Sequence, residues 1–251
     1  MNETAFETIA QAAAVLKLDF SSEEFAGFAE DHGLSEEAIE VVRAVFSYLR
    51  EKKQQTTVLT LLKMSRLPTK EPKTFDNFDF SLLKGKDVDR LKALPSLAAI
   101  YSHRNLAFIG PAGTGKTHLA QAFGYACCQH GMKTYFIKVS ELRDRFTMAR
   151  RSGKTDSCLS ALVRPSCLIV DEIGHCAFDR ENTRLFFDLI DRRYNKEGSF
   201  NMIFTSNKNP ALWREDFDEV QSADPNGHWC GVQRSFGGVN GRMQNIIPRC
   251  S

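Results

Sequence analysis

The chain has 251 residues, 42% hydrophobic and 25% charged, with a formal net charge of +2. This is a globular composition with room for one large core and a smaller unit, and it excludes a global basic field, so any affinity for nucleic acid must come from a local patch. The seven cysteines follow neither CxxC nor zinc-site spacing, "MNETAFETIA" lacks a basic-then-apolar leader, and no run is long enough to span a bilayer, so a reduced, cytoplasmic protein without a membrane partner is expected.

The N-terminal stretch has helical periodicity in three pieces: "NETAFETIAQAAAVLKL", "SSEEFAGFAEDHG" and "SEEAIEVVRAVFSYLREKKQQTTVLTLLKM". Ser21 and Ser35, each followed by acidic residues, read as N-caps, and Gly33 as a helix stop. Residues 1–67 are thus expected to form a helical partner or oligomerisation domain without a catalytic constellation. Prolines and charges mark 68–85 as a linker, in which Phe75, Phe78 and Phe80 must tuck against something. From residue 105 the strand-like runs "LAFI", "TYFIKV", "CLIVD" and "NMIFT" alternate with helical stretches, the pattern of βα units on a parallel sheet buried on both faces. Residues 86–217 read as an α/β ATP-binding core.

The chemistry begins at "GPAGTGKTH", Gly110, Pro111, Ala112, Gly113, Thr114, Gly115, Lys116, Thr117 and His118, which fits a phosphate-binding loop between a strand and a helix. Glycines let backbone N–H groups turn inward around a phosphate, the helix N-terminus adds positive potential, Lys116 reaches the β and γ phosphates, and the Thr117 hydroxyl suits Mg2+. "CLIVDE" ends a buried strand in two carboxylates: Asp171 is placed to hold the metal with Thr117, and Glu172 to polarise an attacking water. "NMIFTSN" ends in Asn207, whose amide can hydrogen-bond that water or the terminal phosphate. A kinase needs the loop but not the Asp-Glu pair and polar sensor, so ATP hydrolysis is the reading, with Glu172, Lys116 and Asn207 as catalytic residues.

"FIGPAGTGKTHLAQAFGYAC", "CLIVDEIGH" and "IFTSN", preceded by "KTFDNFDF", resemble the IstB-like ATPases that assist insertion-sequence transposases, relatives of the DnaC helicase loaders within the AAA+ class of P-loop NTPases. The resemblance covers roughly Phe75 to Phe217. It implies a five-stranded sheet in order 5-1-4-3-2, an ATP-dependent homo-oligomer on DNA, and a transposase partner, with a replicative helicase as partner in the loader branch.

The DNA side rests on "ELRDRFTMARRSGKT", where Arg143, Arg145, Arg150, Arg151 and Lys154 outnumber Glu141 and Asp144. Helical spacing would bring Arg143, Arg150 and Lys154 towards one face, giving salt-dependent, largely sequence-independent binding; taken alone, the cluster is as readily a solvated helix face. Arg192 and Arg193 sit on a helix that in AAA+ rings can approach the adjacent subunit, so either could act across an interface, but they read first as solvated helix-end cations.

After Phe217 the family pattern stops. Members continue with a helical lid carrying sensor and trans-acting arginines, whereas the glycine-dense 218–251 has no helical periodicity and reads as an atypical, truncated, frame-shifted or disordered tail. Arg214, Arg234, Arg242 and Arg249 stand in no recognisable motif, so ATP is expected to bind and to turn over slowly. A nucleotide-gated DNA-binding remnant with little turnover is the third reading.

Overall fold

The computed structural model describes residues 2–84, 87–208, 213, 217, 243–246 and 249–250. The chain divides into two compact units, Met1–Thr60 and Leu61–Ser251.

The first unit is helical: α1 spans Asn2–Leu16, α2 Ser22–Asp31, and α3 Glu36–Ser65, which runs on into the second. Ser21 caps α2 reciprocally, its Oγ accepting from the Glu24 amide at 3.2 Å while its own amide donates to Glu24 Oε2 at 2.7 Å. Ser35 Oγ accepts from the Ala38 amide, and Gly33, at φ 60, stops α2 in the left-handed region. Ala5, Ala29 and Ile39 form a small core with Phe6 and Leu34 against it, and rings of Phe20, Phe25 and Phe46 extend it.

The second unit is a parallel sheet covered on both faces. Its elements are β1 (Leu83–Lys84), α4 (Val88–Lys92), α5 (Ala98–Tyr101), β2 (Asn105–Ile109), α6 (Lys116–Gln129), β3 (Thr134–Lys138), α7 (Val139–Arg151), α8 (Thr155–Val163), β4 (Cys167–Ile173), α9 (Arg180–Tyr194), β5 (Asn201–Ser206), β6 (Met243–Ile246) and β7 (Arg249–Cys250). The main sheet runs β3-β4-β5-β2-β6 with every pair parallel, and β1 pairs antiparallel with β7. Counted from the strand before the glycine loop, this is the expected order 5-1-4-3-2, and the fold is the P-loop AAA+ type.

Burial follows the two-residue period of the strands. Ala107, Ile109, Leu168, Val170, Met202 and Phe204 face a core shared with α7, α8 and α9. Their neighbours Leu106, Phe108, Cys167, Ile169 and Ile203 face the other core, with α6. Phe75, Phe78 and Phe80 pack onto that second core, as their spacing in a charged linker predicts. Gly124 of α6 lets the helix approach the sheet, since a Cβ there would sit 2.7 Å from Ile169 Cδ1.

Three features differ from the sequence reading. A second helix, α8, follows α7 before β4, because Gly153, at φ 66, ends the first and a short run of Cys158, Leu159 and Leu162 starts anew. Lys154 is the N-cap of α8, so it does not share a helix face with Arg143 and Arg150. Arg193 is no solvated cation: it is 0% exposed, and its guanidinium donates to the carbonyls of Leu162, Val163, Pro165, Ser166 and Asn201 at 2.7–3.1 Å. Burial lowers its pKa to about 10, still charged at neutral pH. Arg192 does reach solvent, but is paired with Asp156 and Asp188. The tail 218–251 lies outside the described residues except for the backbone of β6 and β7.

Candidate nucleotide site

The glycine loop joins the C-terminal end of β2 to the first turn of α6, the place where open α/β sheets bind ligands. Gly113 and Gly115 take φ 80 and 82, which a side chain would strain. Gly115 is constrained twice, because a Cβ there would come 2.6 Å from Phe78 Cε2. Phe78 also meets His118 edge-on, and His118 Nε2 donates to Thr74 O and Asn77 Oδ1, both at 2.9 Å. The segment 74–78 is therefore fastened to the start of α6 by one ring contact and one imidazole.

Lys116 is only 7% exposed, and its Nζ donates to Pro111 O at 2.6 Å, folding the ammonium back over the loop. Burial lowers its pKa, and the Asp171 charge partly offsets this. Thr117 Oγ1 donates to Asp171 Oδ1 at 2.8 Å, so the sequence-predicted pair does meet. A hydroxyl and a carboxylate, both hard oxygen donors, fit Mg2+, and the loop N–H groups with Lys116 fit a nucleotide's phosphates.

Glu172 occupies an unusual backbone position. Between Val170 and Ile173 the register of β4 on β5 shifts, and Glu172 takes φ 64. Its amide donates to Thr205 Oγ1 at 2.9 Å, and the same hydroxyl donates to Asp171 Oδ1 at 2.5 Å. One hydroxyl, acting as acceptor and donor, thus satisfies the bulged amide and orients the metal-type carboxylate. Thr205 was missed by the sequence reading, and its signal was faint: a threonine two residues before Asn207. The Glu172 carboxylate lies 3.1 Å from Lys138 Nζ at the end of β3, a contact that raises the lysine's pKa.

Asn207 follows β5 directly, and its Nδ2 lies 3.3 Å from His175 Nε2 in the loop after β4. Of the five basic residues on α7 and after it, three are held locally: Arg143 by Asp144, Arg145 by Tyr135 Oη, and Arg150 by Asp179 and Asn182 at the start of α9. Arg151 and Lys154 are exposed at the turn between α7 and α8.

Removing the Thr205 hydroxyl tests its role. Thr205→Val is expected to lower any ATP turnover about tenfold with ATP affinity unchanged, since a misaligned carboxylate costs on the order of 1–2 kcal/mol, whereas Thr205→Ser should keep the rate. Steady-state turnover beside equilibrium nucleotide titration checks this; equal rates for the Val and wild-type chains would remove Thr205 from the site.

Comparison with known proteins agrees with this geometry. The family described as IstB-like ATP binding protein matches residues 12–225. The insertion sequence IS5376 ATP-binding protein of Geobacillus stearothermophilus is 38% identical over 163 residues, 65% of this chain and 63% of that one. The IS232 counterpart of Bacillus thuringiensis subsp. berliner is 32% identical over 74% of this chain and 72% of its own. The chain thus spans less than two thirds of the first relative's length. Among solved structures, AMPPCP-bound DnaA from Aquifex aeolicus is similar with a TM-score of 0.54 at 20% identity, over 70% of this chain and 50% of that one. The DnaC helicase loader gives 0.53 at 18% identity, over 70% of this chain and 97% of that one. With the glycine loop, the strand-end carboxylates and a match running through both units, the chain belongs to the IstB-like ATP binding protein family.

Proposed function

We propose that this chain is an ATP hydrolase that assembles as a homo-oligomer on DNA and assists a transposase in transposition. The observation that carries the reading is the shared carboxylate: Asp171 Oδ1 accepts from both Thr117 and Thr205, tying α6, β4 and β5 into one site with Glu172 on the adjoining bulge. Similarity to insertion-sequence ATP-binding proteins supports the transposition partner.

ATP would seat its phosphates on the loop from Gly110 to Thr117, with Lys116 swinging from Pro111 O to the β and γ phosphates. Mg2+, held by Thr117 and through water by Asp171, would neutralise phosphate charge. Glu172 accepts the proton of a water that attacks the γ-phosphorus, the bond to the β–γ bridging oxygen breaks, and ADP and phosphate leave. Asn207, which now lies against His175, orients that water or the terminal phosphate. Residues 1–67 serve as the partner or oligomerisation module, 68–85 as linker, and 86–217 as the ATP core, to whose sheet β6 adds an edge strand, in a cytoplasmic protein. Among the described residues no helix is long and apolar enough to cross a membrane.

DNA contact falls first to Arg151 and Lys154 at the α7–α8 turn, with Arg143, Arg145 and Arg150 able to trade local partners for phosphates. Turnover is slow, because no arginine after Phe217 stands in a sensor or trans-acting motif. A helicase-loading role is the second reading, favoured by the match along nearly the whole DnaC chain.

Size-exclusion chromatography with ATP and a DNA duplex tests the proposal. Wild-type chain should elute as a large complex and Lys116→Ala should not, since losing the ammonium on the phosphates is expected to weaken ATP binding about 10–100-fold. Assembly indifferent to ATP and to Lys116 would overturn it.

A further inference from the structure

Two cations meet at the end of α8. Lys196, two residues past α9, donates from Nζ to the carbonyls of Arg164 and Pro165, both at 2.9 Å. Pro165 O also accepts from Arg193 Nη1 at 2.9 Å, so an ammonium and a buried guanidinium share one oxygen. The guanidinium keeps its proton at neutral pH, and the ammonium is the partner that can yield. A neutral amine still has two N–H donors, enough for both carbonyls, so Lys196 gives up neither hydrogen bond when it loses a proton. Burial and the Arg193 charge both favour that loss and bring its pKa down to about 8.

Lys196 lines a groove of about 660 Å3 between α8 and α9, and the other charged groups on its walls are Arg164, Asp188, Asp191 and Arg192. Arg192 is paired with Asp188 and, beyond the groove, with Asp156. Arg164 is exposed on the same wall whose carbonyl holds Lys196. The groove therefore sets a cation that attracts anions beside an amine that is neutral for about a tenth of the time at pH 7, against less than about a thousandth for an ordinary lysine. A lysine beside a second cation is the arrangement that makes an amine nucleophilic at neutral pH.

We propose that Lys196 is an acylation site for small acyl phosphates, whose phosphate rests on Arg164 while the Lys196 amine faces the acyl carbon. The Nζ lone pair forms a bond to that carbon, the carbon–oxygen bond to phosphate breaks, and the surplus proton on nitrogen leaves with the departing phosphate. The product is an amide without charge and with one N–H, so the repulsion on Arg193 ends and one of the two carbonyls loses its donor. The inference does not rest on ATP binding or on DNA.

Treating the full chain with acetyl phosphate and reading acetyl occupancy at each lysine by peptide mass spectrometry tests it. Near neutral pH, Lys196 should be acetylated about fivefold or more faster than the exposed Lys53 and Lys63, its larger neutral fraction outweighing its lower basicity. Its rate should level off above about pH 8, while theirs keeps rising. Arg164→Ala should slow the reaction with acetyl phosphate about threefold or more and leave that with the uncharged acetyl ester of N-hydroxysuccinimide unchanged, with an unaltered melting temperature because the side chain is exposed. A rate at Lys196 no greater than at Lys53, or one still climbing at about pH 10, overturns the acylation site. Equal rates for wild type and Arg164→Ala with acetyl phosphate, or equal slowing with both reagents, overturn the phosphate seat.

Discussion

Glu172→Gln is expected to lower kcat for ATP hydrolysis by about 10²–10⁴-fold while leaving ATP affinity within about threefold. The amide keeps the size of the side chain and can still lie near Lys138, but it cannot accept a proton from water. The backbone argument sharpens the expectation: φ 64 at Glu172 and the hydrogen bond from its amide to Thr205 belong to the main chain, so the bulge survives the substitution. Single-turnover hydrolysis beside equilibrium titration with a fluorescent ATP analogue separates chemistry from binding. A kcat within fivefold of wild type would take Glu172 out of the proton-accepting role.

Arg193→Leu is expected to destabilise the second unit by about 3–5 kcal/mol, because five carbonyls lose a buried donor in a place water does not reach. For a unit of this size that corresponds to a fall in Tm of roughly 6–20 °C. Arg193→Lys should recover only part of the loss, since one ammonium with three donors cannot span the end of α8, the start of β4 and the start of β5 as the planar guanidinium does. Thermal melts followed by circular dichroism decide the matter; a shift under about 2 °C would mean that the carbonyls find other partners.

The two halves of the site differ in how openly the sequence showed them. The glycine loop was legible because its geometry is local: eight consecutive residues set the turn, the helix start and the positive φ values; the contacts of His118 with Thr74 and Asn77 were not, since they join segments 44 and 41 residues apart. Asp171 and Glu172 were legible because an apolar run followed by two acids marks the polar end of a buried strand, although β4 continues through a bulge to Ile173. Thr205 was not, because its contacts with Asp171 and Glu172 depend on which strands are neighbours and in what register, and periodicity says nothing of either. The Lys138–Glu172 pair escaped for the same reason, as it needs β3 beside β4. Arg193 was misread because an arginine in the last turn of a helix commonly offsets the dipole in solvent; only the return of the chain through Ser166 and Asn201 encloses it. Helix α8 was overlooked because its nine residues offer a single apolar cluster, too short for a helical period to stand out.

The fastening of Phe78 and Asn77 to the first turn of α6 has a mechanical corollary. Gly115 has no room for a side chain against the phenyl ring, and His118 grips the preceding chain through two acceptors, so the phosphate loop and the strap from Thr74 to Phe80 are joined at two points. Neither seat nor strap could thus shift alone without straining the ring contact or the imidazole bonds.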